Sequence, residues 1–175
     1  MSPNELINLF TKHNLIPNDP EEQEEALDLI DEDEDSELNA LELLAEFAAD
    51  NSIDLSLGDC VPKDVIGEFM ANFEQVAEVS KGKVKAQNLK VTPEVGTTVN
   101  ETKDIEITFD WNSKNYSFSF SKVEPDGFID EFSKWVFEAF DGNFLFIKDD
   151  LSFGYVIPKT LIKELESIGL ENAVS

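Results

Sequence analysis

Ile105, Ile107, Phe109 and Trp111 alternate with polar neighbours, and Tyr116, Phe118 and Phe120 alternate again beyond Asn112-Ser113-Lys114-Asn115. A period of two gives a strand one apolar face, and two such strands joined by a polar turn form a hairpin with one face to bury. No other feature of the chain constrains its fold as strongly. Seven large side chains on one side of two strands demand a layer of helices against them.

Helices to supply that layer are legible on both sides of the hairpin. Asp126-Gly127 starts one with Phe128, Ile129, Phe132, Trp135, Val136 and Phe140 inward, and Asp141-Gly142 ends it. The runs at 143–148 and 152–157 predict two strands around a turn at 149–151, and Pro158 opens a last helix carrying Leu161, Ile162, Leu165 and Ile168, closed by Gly169. Upstream, Ser2-Pro3-Asn4-Glu5 has the form of a capping box before Leu6, Ile7 and Phe10. Asn18-Asp19-Pro20 then breaks the chain, and Asp19 can cap a second helix with Ala26, Leu27 and Ile30 inward. Ser36 is placed to cap a third through Asp50, with Leu38, Leu41, Leu44, Ala45 and Ala48 as its inner stripe.

Pro62 opens a fourth helix, with Val65, Ile66, Phe69, Met70, Phe73, Val76 and Ala77 on one face. Residues 83–99, interrupted by Pro93 and Gly96, are expected to be irregular or an edge strand. The expected fold is α+β, with N-terminal helices packed beside an antiparallel sheet and a ββαββα C-terminal half. Residues 1–82 form an acidic helical region and 83–175 the ββαββα region, together one compact domain.

Charge narrows the function classes. Asp and Glu number 38 against 13 lysines, a net charge of −25, and there is no arginine. That removes the bidentate clamp for phosphates and makes direct binding to nucleic acid or an anionic membrane unfavourable. A basic partner is favoured instead. Residues 1–60 carry 18 acidic residues and one lysine, so the N-terminal third dominates the field. No stretch approaches a membrane span, and residues 1–16 lack a basic start and an apolar run, so the chain is expected to be soluble and cytoplasmic.

Catalytic chemistry has little to draw on. His13 is the only histidine and Cys60 the only cysteine; the first is expected to meet a helix dipole and the second to be a structural thiol among carboxylates that raise its pKa. There is no phosphate-cradling glycine loop and no zinc-binding pattern. The aromatic residues fall at core spacing, and a base-stacking platform needs a basic groove that this chain lacks. No catalytic residue and no cofactor is expected.

The run from Asp31 to Glu42 invites two readings. Asp31, Asp33 and Asp35, the carbonyl of Glu37 at the seventh position and Glu42 at the twelfth resemble a calcium loop of the EF-hand family, with Leu38 at its apolar eighth position. Ser36 stands where that loop needs glycine, the exiting helix is out of phase, and no second loop accompanies it. The other reading is a docking surface for a basic protein. Glu21, Glu22, Glu24, Glu25, Asp28, Asp31, Glu32, Asp33, Glu34, Asp35 and Glu37 repel one another without any lysine among them, a cost that a cationic partner relieves.

In style the chain resembles immunity proteins of bacterial toxin systems, such as those paired with contact-dependent inhibition toxins. The stretches "WNSKNYSFSFSK", "FIDEFSKWVFEAF" and "YVIPKTLIKELESIGL" follow the strand, hairpin and helix order common in such families. That resemblance implies a cognate toxin partner, often a basic nuclease, neutralised by occlusion of its active site or an adjacent surface. Besides the calcium module, an acidic nucleic-acid mimic that inhibits a DNA-binding protein is the other alternative.

Overall fold

The computed structural model describes residues 1–31, 34–55, 65–93, 104–121, 126–147 and 153–174. Its elements are α1 (Pro3–Lys12), α2 (Pro20–Leu29), α3 (Ser36–Phe47), a 3-10 turn (Ala49–Asn51), β1 (Ser52–Asp54), α4 (Val65–Val79), β2 (Gln87–Thr92), β3 (Asp104–Trp111), β4 (Lys114–Ser121), α5 (Asp126–Ala139), β5 (Leu145–Phe146), β6 (Phe153–Tyr155) and α6 (Lys159–Glu166). The fold is α+β, with two antiparallel sheets of strand order β1-β6-β5 and β2-β3-β4 among the described residues.

Two compact units divide the chain: Met1–Ser52 with Gly142–Ser175, and Ile53–Asp141. The ββαββα order holds from β3 to α6, but its two hairpins enter different sheets. β6 is the central strand of its sheet and joins β1 there, a three-residue strand too short to show any alternation.

In the discontinuous unit, α1 starts with the capping box its sequence predicts: Glu5 N donates to Ser2 Oγ and Ser2 N donates to Glu5 Oε2. Leu6, Ile7, Leu9 and Phe10 are buried along it. Asp19 caps α2 by accepting from Glu21 N at 3.0 Å. Leu161, Ile162 and Leu165 of α6 complete the same core with Leu43 and Leu44 of α3. Phe144 is fully buried, and its ring occupies the space a side chain at Gly154 would need.

Three expectations for α3 are corrected. Its N-cap is Asp35, not Ser36: the Ser36 hydroxyl accepts from Met1 N at 2.9 Å and donates to Met1 O at 3.0 Å, so it serves a tertiary contact. The helix ends at Phe47 and the chain tightens into the 3-10 turn. Its inner face is Asn39, Ala40, Leu43 and Leu44, while Leu38 and Ala45 are exposed.

The continuous unit is the expected hairpin with its helical cover. β3 and β4 pair from Asp104↔Ser121 to Trp111↔Lys114. Asn112 and Ser113 close them with φ of 49° and 63°, the left-handed pair that matches strand twist. Lys114 and Asn115 therefore belong to the strand and not to the turn. Ile105, Ile107, Phe109, Phe118 and Phe120 are buried under aromatic rings of α4 and α5. Phe73 lies 5.0 Å from both Phe109 and Phe132 and 5.3 Å from Trp135. β2 is an edge strand, its register irregular between Gln87 and Lys90. Pro62 and Cys60, and the expectations attached to them, lie outside the described residues.

Candidate partner-binding site

The acidic segment is mounted on α2 and the start of α3. Of the residues in α2 only Ala26 is fully buried, because a helix rich in Glu and Asp offers the core a narrow apolar stripe. Glu21, Glu24, Glu25, Asp28, Asp31, Glu34 and Asp35 are exposed, and Glu22 is half-buried. Glu37 is half-buried too and turned toward Gly169: its carboxylate lies so close that a Cβ there would come within 3.0 Å of Oε2. Glu32 and Asp33 lie outside the described residues. From residue 13 to residue 62 there is no lysine, so this face has no basic neighbour in its own segment.

What a calcium loop would need as a turn is taken up by helix. α3 begins at Ser36, so Glu37 and Glu42 sit on a rod along which Glu42 stands about 9 Å beyond Ser36. Asn39, 4% exposed, uses its side chain to hold the backbone of Asp31. Among the described residues no three His, Cys, Asp or Glu side chains come together as a metal site. Asp33, one of the proposed ligands, is outside those residues.

A groove lies beside the acidic face. Leu41, Glu42, Ala45 and Ala49 line it together with Ser52, Phe153 and Tyr155, around about 440 Å³. Leu38 extends the lining by one turn and is 48% exposed, while Phe153 is 37% exposed. Glu42, Glu46 and Asp50 are exposed along the same stretch. This stripe was legible as apolar and was assigned to the core; its signal was an excess. α3 carries Leu38, Ala40, Leu41, Leu43, Leu44, Ala45 and Phe47, more apolar positions than one buried face of a surface helix takes.

Compared with known proteins, the chain matches no family model, no curated protein and no solved structure. No helix among the described residues is long and apolar enough to cross a membrane.

His13 is the C-cap residue of α1. Its Nε2 is buried without a hydrogen-bond partner and lies 3.6 Å from Glu164 Oε1 on α6. Lys12 reaches the same oxygen at 2.9 Å, and that hydrogen bond above all holds the Glu164 carboxyl below the usual carboxylate range. The imidazole thus packs at a helix end in company with one carboxylate, an arrangement that serves the α1–α6 contact.

Proposed function

We propose that this protein is a stoichiometric inhibitor of the immunity type, which binds a cognate, basic bacterial toxin and occludes its active site or an adjacent surface. The observation that carries this reading is the row of exposed carboxylates on α2 and before α3, Glu21, Glu24, Glu25, Asp28, Asp31, Glu34 and Asp35, without a lysine between residues 13 and 62. Like charges held this close raise the energy of the folded chain, and a cationic surface docked on them recovers that energy. Their long-range field also speeds encounter, while affinity comes from a smaller desolvated patch. The resemblance in element order to immunity proteins supports the same class.

The test is co-expression with the product of the neighbouring gene in a cell which that product kills. Rescue of growth, with a complex that co-purifies in fixed stoichiometry, is the expected result. Association should slow steeply between about 50 mM and 500 mM salt, because ions screen the steering field over roughly a Debye length. Catalytic turnover by the purified protein alone, or association indifferent to salt, would overturn the reading.

A further inference from the structure

The geometry points to the groove along α3 as the docking site for a cationic amphipathic helix of the partner, whose large apolar side chain seats over Ala45 and Ala49 against Phe153. Its lysines or arginines meet Glu42, Glu46 and Asp50. This rests on the reading of a basic partner and adds to it the place where affinity is made.

Three features of α3 and β6 fit that occupant. First, Leu38, Leu41 and Ala45 recur at helical spacing on α3 and Ala49 follows in the 3-10 turn; Leu41 is half-buried at the edge of the core while the other three are exposed, and helix-in-groove recognition uses such i, i+3, i+4 rows. Second, the lining pairs the small side chains of Ala45 and Ala49 with the large ring of Phe153, so a backbone can approach closely on one side and one bulky knob can fill the space. Third, Glu42, Glu46 and Asp50 recur every four residues, all exposed, a row that a helix bearing cations at the same interval can match. A second copy of this chain is the poorer occupant, since it would bring another −25 to the same surface.

Two synthetic peptides of equal length and charge test this, one an amphipathic lysine–leucine helix and the other with its leucines replaced by serine. Each is titrated into the isotope-labelled full-length protein and followed by amide NMR shifts. The leucine peptide should shift residues 38–50 and 153–155 and bind about tenfold more tightly than the serine peptide. Ala45→Trp, which fills the groove at an exposed position, and Phe153→Ser should each remove that tenfold advantage, with the dispersion of the free protein's spectrum as the control for folding.

Equal affinity for both peptides, unchanged by Ala45→Trp, overturns the groove and leaves the basic-partner reading standing. Failure of both peptides to bind in dilute buffer overturns both readings. Dimerisation of the free protein that Ala45→Trp abolishes assigns the groove to a second copy and overturns the cationic occupant.

Discussion

Asn39 holds both backbone polar groups of Asp31: Oδ1 accepts from Asp31 N and Nδ2 donates to Asp31 O, each at 2.9 Å. One buried amide thereby anchors the chain leaving α2 to the second turn of α3. Asn39→Ala leaves both backbone groups without this partner and should cost about 2 kcal/mol, seen as a lower urea midpoint with an unchanged slope. Asn39→Asp should cost at least as much, since a carboxylate oxygen then faces the Asp31 carbonyl.

Gly154 has no room for a Cβ because the Phe144 ring fills the space. Gly154→Ala should lower stability by about 2 kcal/mol through overpacking. Combined with Phe144→Leu, which empties part of that space, the loss should fall short of the sum by about 1 kcal/mol. Thermal or urea unfolding of the four-member cycle measures the coupling.

Ser113 closes the β3–β4 hairpin at φ 63°, a conformation that costs a side-chain-bearing residue on the order of 1 kcal/mol. Ser113→Gly creates the Asn-Gly pair that such turns favour and should raise stability by about 0.5 kcal/mol after the added freedom of the unfolded chain is counted. Ser113→Val should do the reverse, both read as shifts in the urea midpoint.

Glu138 of α5 accepts from Lys114 Nζ and from the Tyr116 hydroxyl at the turn end of the hairpin. The Lys114 hydrogen bond holds the Glu138 carboxyl below its usual range. A carboxyl depressed by folding contributes stability above its unfolded pKa and loses it as pH falls through the folded one. Both side chains are substantially exposed, so screening keeps the contribution small. Glu138→Gln should therefore melt slightly below the wild type at pH 7 in dilute buffer. The gap should close as pH falls out of the usual carboxylate range and through the depressed folded pKa, where the carboxyl is protonated and resembles the amide, and in concentrated salt.

The candidate site divides along the same line as these predictions. Its acidic part was legible, because Glu and Asp on a helix with few apolar positions have nowhere to go but the surface. Its groove was not, because Leu38 and Leu44 are equally apolar and periodicity alone does not say which is inward. β1 was missed for a related reason: Ser52–Asp54 acquires strand geometry from its place beside β6, and three residues carry no pattern of their own.

What the sequence determined by itself is the local structure whose causes lie within a few residues. It specified the capping box at Ser2 and Glu5, the Asp19 cap, the two alternating strands of the hairpin and the apolar face of α5, while the hairpin's register followed from the two-residue turn at Asn112 and Ser113. Tertiary structure decided the phase of α3, the pairing of β6 with β1 and the division of the chain into its two units. Those outcomes depend on which distant surfaces meet. The buried Asn39 clamp on Asp31 and the packing of Leu43 and Leu44 into the core with α1 and α6 turn Leu38 and Ala45 outward, and no window of sequence around α3 contains the residues of α1 and α6.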